Sequence, residues 1–135
     1  MNAICKLEYR TLWVVCGWIL VAAVVFLSLS SSPIPIQSLE FGDKVGHFIA
    51  YFVLMSWFGQ LYSRSEHRVN SATAFFVMGL ALEYFQSIGG VRVASLADAA
   101  CNGLGIGAGW LSLSTRLNAS LAWTDERVAW VLTKT

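Results

Sequence analysis

Apolar residues run through this chain in four long blocks, at positions 12–29, 46–62, 72–87 and 96–113, without the narrow stripes of amphipathic helices. At 1.5 Å per residue the first block reaches ~27 Å as a helix, close to the thickness of a bilayer's hydrocarbon core. Pro33 and Pro35 follow it and should hold the next loop extended. Asn70 and Ser71 are expected to cap the third helix, and Gly89 with Gly90 to stop it. The pattern predicts an all-α polytopic membrane protein. A single domain over 1–135 would form a bundle of four transmembrane helices, leaving 117–135 as a cytoplasmic or interfacial tail. In that tail Leu121, Val128 and Leu132 share a helical face, with Asp125 beside them and Trp123 and Trp130 opposite. A short interfacial helix and a frayed tail both fit this arrangement.

Composition points to lipid as the solvent. The chain is 56% hydrophobic and 13% charged, with a mean hydropathy of +0.61, whereas soluble domains carry about 25% charged residues. A net charge of +1 gives nucleic-acid binding no electrostatic support. Cys5, Cys16 and Cys101 are dispersed without CxxC spacing, which argues against a disulfide framework or a zinc site. Lys6 and Arg10 before the first block give it the look of a secretory signal. Its length favours a retained helix. Orientation follows from the nine Lys and Arg. Lys44 and Arg92 lie in the first and third loops, and the other seven lie at the termini and in the second loop. Cytoplasmic basic loops then put both termini inside and Lys44 and Arg92 outside.

The polar residues between blocks change the picture from scaffold to site. Asp43, Lys44, His47 and Tyr51 open the second block, Glu83 and Gln86 close the third, and Arg92, Ser95, Asp98 and Asn102 open the fourth. Asp43, His47 and Tyr51 are spaced four apart, so they descend one helix face. Asp98, Asn102, Gly105 and Gly109 descend another. With the expected topology all these groups meet near the outer surface, where ionisable residues mark functional sites. Capping accounts for Asp43 and for Ser95 with Asp98, and Lys44 and Arg92 can pair with Glu83 and Asp98. Capping leaves Glu83, Gln86 and Asn102 unexplained. Three chemistries remain open: carboxylates and a histidine around a divalent cation, Glu83 or Asp98 as acid or base with His47, and Lys44 with Arg92 gripping a phosphate. No HExxH-type spacing singles out a metal, and no serine or cysteine nucleophile motif or phosphate-binding glycine loop is present.

The run Gly42, Asp43, Lys44, Gly46, His47 with Tyr51, then Glu83 and Gln86, then Arg92, Ser95, Asp98, Asn102 and Gly105, resembles the VanZ-like family. These are small bacterial membrane proteins named after a teicoplanin-resistance protein. The motifs cover about half the chain in the family's order and spacing. The resemblance implies a helical protein of the cell envelope, linked in some members to glycopeptide resistance, and implies no established reaction, cofactor or metal. The sequence therefore leads to one expectation and one rival. The first is an outward-facing site that binds or modifies a lipid-linked or phosphorylated envelope ligand. The second is a non-catalytic partner or assembly factor with a structural polar cluster.

Overall fold

The computed structural model describes residues 7–30, 42–89 and 95–134. They form five α-helices: α1 (Arg10–Leu29), α2 (Gly42–Leu61), α3 (Ser65–Ile88), α4 (Leu96–Ser112) and α5 (Ser120–Leu132), with a 3-10 helix at Arg116–Ala119 before the last. The all-α class holds, but with a fifth helix where a tail or a short interfacial helix was expected. The α2 helix begins at Gly42, ahead of the expected 46, and Asp43 sits in its first turn, an acidic side chain at the positive helix end. The α3 helix begins at Ser65, seven residues ahead of the expected 72. Asn70 and Ser71 therefore lie inside it rather than capping it, and the Ser71 hydroxyl donates to the His67 carbonyl. No glycine or proline interrupts 65–78, and Arg68 caps the preceding helix by donating from Nε to the Gly59 and Tyr62 carbonyls. The polar run read as a loop is a tight turn plus the first turns of a helix.

Among the described residues only α1 is long and apolar enough to cross a membrane, a property that signal sequences and buried core helices share. The other expected spans fall short for visible reasons. Asp43, Lys44, His47 and Gln60 dilute α2, and Glu66, Arg68 and Glu83 dilute α3. The α4 helix has 17 residues, or ~26 Å.

The α2 helix is central. Tyr51, Leu54, Met55, Phe58 and Leu61 are all buried in the core. Around Phe58 an aromatic layer forms, with Phe75 edge-on at 5.3 Å and Trp18 at 5.8 Å, while Trp13 meets Trp57 at 6.1 Å. The closest approach is between α2 and α4. A Cβ at Gly105 would overlap the Phe48 carbonyl oxygen, and one at Gly109 would lie 2.8 Å from both Met55 Cβ and the Phe52 carbonyl. Two small residues one turn apart let the backbones touch, as in tightly packed helix pairs of membrane proteins. Gly107 faces open space, so only half of the glycine-rich run forms this seam.

Contacts define two ends of the bundle. At one end Arg10 lies over the Tyr62 ring at 5.9 Å. There Gln60 Oε1 accepts from the Leu121 N–H and the Ser120 hydroxyl, fixing the start of α5. Asp125 on α5 accepts from the backbone N–H groups of Glu8 (2.5 Å) and Tyr9 (3.0 Å) and from Trp13 Nε1 (2.7 Å). No side chain of α1 itself caps that helix, so a carboxylate from the far end of the chain performs the role. At the other end Gln86 donates from Nε2 to the Ser28 carbonyl, 2.6 Å away, joining the ends of α3 and α1.

The packing inverts the usual soluble arrangement. Glu83, Gln86, Asp98 and Asn102 are buried between helices, while Phe26, Ile88, Leu104 and Leu111 are each more than 60% exposed. Polar groups are buried at the Ser28 end of an otherwise apolar core, and large apolar groups lie on the outside of α1, α3 and α4.

Candidate polar site

The α2, α3 and α4 helices bring six of the expected residues to one place near the Ser28 end. One turn separates Asp43 from His47, which puts His47 Nε2 3.7 Å from Asp43 Oδ1. From α3, Glu83 reaches across to leave its Oε1 3.5 Å from the same nitrogen. From α4, Asp98 completes a group in which ligand atoms of Asp43, His47 and Asp98 all lie within 4.8 Å of one another. The α4 helix holds Glu83 as well, since the Ser95 backbone hydrogen-bonds its carboxylate. One turn deeper, Tyr51 and Asn102 meet over Gly79. A Cβ at that position would lie 2.8 Å from Asn102 Nδ2 and 3.0 Å from Tyr51 Oη, so the missing side chain makes room for both.

The remaining four residues have other places. Gln86 turns to α1, as its bond to Ser28 requires. Ser95 is the N-cap of α4, its hydroxyl accepting from the Ala97 N–H at 3.2 Å. Asp98 does not complete a capping box with it. Its side chain is buried in the bundle and leaves Oδ1 without a partner. Lys44 is half-buried on α2 and forms no ion pair with Glu83 or Asp98 among the described residues, which corrects the expected pairing. Arg92 lies outside the described residues, and so does any contact it makes.

Charge and hydrogen bonding give this cluster its character. Three carboxylates face one histidine, and the ion pairs among the described residues are the two made by His47. Among the described residues five buried side-chain atoms lack a hydrogen-bond partner: Tyr51 Oη, Glu83 Oε1, Gln86 Oε1, Asp98 Oδ1 and Asn102 Oδ1. Each such atom costs about 1–3 kcal/mol when desolvated without a partner. A cluster built only to join helices would pair them, as Ser56 and Ser112 pair at 3.0 Å elsewhere between α2 and α4. The arrangement suits a cation or a transferable proton. An anionic group would need a cation beside these carboxylates to be held there.

Sequence spacing marked the residues of this cluster and the meeting of Asp43, His47, Glu83 and Asp98, but not the room that Gly79 leaves. Gly79 is one small residue in an apolar run. Asp125 stood out only as an acid beside an apolar face. No family model matches the chain, and neither curated proteins nor solved structures give a match.

Proposed function

We propose that this chain is a four-span protein of a bacterial cell membrane, with α1 to α4 crossing and α5 lying at the cytoplasmic face. Its polar cluster would bind or modify a lipid-linked or phosphorylated envelope ligand at the outer leaflet. The observation that carries this reading is the inverted packing: exposed Phe26, Ile88, Leu104 and Leu111 around buried Glu83, Gln86, Asp98 and Asn102. Hydrocarbon accepts such a surface, and water does not. The distribution of basic residues supports the orientation. Arg10 and Arg68 belong to the end that carries α5, with Arg127 and Lys134 over Trp123 and Trp130 at 5.1 and 4.1 Å on that helix. Such aromatic–basic pairs suit a headgroup layer. Lys44 lies at the opposite end, beside the cluster. The motif resemblance to VanZ-like proteins points to the same compartment and leaves the reaction open.

A structural reading has one observation in its favour, the bond from Gln86 to Ser28, which ties two helix ends together. The test separates the two. A deletion strain complemented with wild type or His47→Ala is challenged with glycopeptides and other envelope stresses, while membrane level and melting temperature are measured in parallel. Among the described residues His47 makes its two ion pairs at 3.5 and 3.7 Å, beyond hydrogen-bond reach, so His47→Ala should keep most of its membrane level and melting temperature and lose complementation. Normal complementation by a normally folded His47→Ala would remove the site from the account. Equal loss of folding and complementation would favour the structural reading.

A further inference from the structure

We propose that Asp43, His47 and Asp98 bind a divalent transition-metal ion between α2 and α4, with Glu83 beside it. The inference deepens the ligand site proposed above and rests on it. The spacing of the donors is the first argument. His47 Nε2 stands 3.7 Å from Asp43 and 3.5 Å from Glu83, beyond the ~2.7–3.2 Å of a hydrogen bond. Donors that share one ion stand about 3–4 Å apart, given metal–ligand distances of ~2.0–2.2 Å. The Asp43, His47 and Asp98 ligand atoms, within 4.8 Å of one another, need to close by no more than ~0.8 Å to reach the upper end of that range.

Independent of spacing, the partnerless acceptors point the same way. Asp98 is 4% exposed and Asn102 2%, and each leaves a carbonyl-type oxygen unpaired. Asp98 Oδ1 belongs to the carboxylate that faces His47 and Asp43, and Glu83 Oε1 faces His47 from the third helix. The partnerless oxygens of Glu83 and Asp98 beside an imidazole call for a donor or a cation, and two buried carboxylates favour the cation. The imidazole selects among cations. Oxygen-only sites suit Mg2+ and Ca2+, whereas a nitrogen donor among carboxylates suits Zn2+ or Mn2+. Such an ion would also reverse the sign of the cluster. A phosphorylated headgroup, repelled by carboxylates alone, could then be drawn to the metal at the same place.

The test uses the full chain in lipid nanodiscs, stripped with chelator, with Zn2+, Mn2+ or Mg2+ added alone and no phosphate present. Calorimetry should give one Zn2+ per chain, and Mg2+ at the same concentration should give no heat of binding. His47→Ala and Asp98→Asn should each weaken Zn2+ binding at least tenfold, the loss seen for even an outer-shell partner. His67→Ala, at an exposed site on α3, should leave it unchanged. Spin-echo spectra of Mn2+ on the wild-type protein should show coupling to a histidine nitrogen, a readout that needs no variant to fold. Absence of stoichiometric Zn2+ binding, or binding indifferent to both His47→Ala and Asp98→Asn, overturns the proposal. So does binding that emerges only in Arg92→Gln, which would assign the cluster to an internal ion pair. Metal binding without any envelope phenotype would instead count against the proposed function alone.

Discussion

Gly105→Leu should destabilise the protein by about 3 kcal/mol, the upper end for overpacking, while Leu104→Ala should change stability by less than ~0.5 kcal/mol. The difference follows from what each position faces. A Cβ at Gly105 would run into the Phe48 carbonyl oxygen and the Phe52 backbone nitrogen, which belong to α2 itself and cannot swing aside. Relief requires α2 and α4 to move apart, which would also open the contact at Gly109 and spread Asp43 and His47 from Asp98. Leu104, one residue away, is 65% exposed and leaves no cavity when shortened. Thermal unfolding in detergent on the two variants measures both numbers. The reverse order would mean that α4 presents another face to α2.

Asp125→Asn should cost about 2–4 kcal/mol, with most of the loss at the α1–α5 contact. The wild-type carboxylate accepts from two backbone N–H groups and the Trp13 indole, and hydrogen bonds to a charged group contribute ~1.5–3 kcal/mol each. An amide keeps one acceptor oxygen and turns its NH2 toward donors. The pH dependence has a fixed sign. Burial alone would raise the Asp125 carboxyl, but the hydrogen bonds from Trp13, Glu8 and Tyr9 outweigh it and hold it below the ordinary carboxylate value of 3.8. With the folded value below the unfolded one, the stabilisation is present above about pH 4 and disappears as pH falls through the folded value. Wild type should therefore lose stability on acidification below pH 4 more steeply than Asp125→Asn. Parallel acid profiles of the two would remove Asp125 from the role of α1 cap.

The parts of this molecule that were legible in the sequence are those governed by one helix at a time. The span of α4 is nearly as expected because Ser95 caps it locally and Asp98 is the one charged residue within it. The stripe Asp43, His47, Tyr51 is visible because i, i+4 spacing survives any packing. Boundaries failed where charges sit on a helix rather than before it. Asp43 and Lys44 lie in the first turn of α2, and Glu66, His67 and Arg68 in the first turns of α3, so polarity was read as loop. The docking of α5 could not be read at all. Its determinant, Asp125, meets partners more than a hundred positions away in the chain, and by itself it resembles a flaw in an amphipathic face. The meeting of the cluster was legible because its stripes end at one depth and Gly105 and Gly109 continue the α4 stripe, whereas the turning of Gln86 to Ser28 on α1 was not.

The central claim is that four crossings carry the polar cluster to the outer face of a membrane, and reporter fusions test it most directly. Fusions after Gln37, Ser65, Gly90 and the last residue should report outside, inside, outside and inside. If α1 were a signal sequence or a single anchor, the one helix among the described residues apolar enough to cross unaided would carry everything after it across. All four fusions would then report outside, and that result would contradict the account.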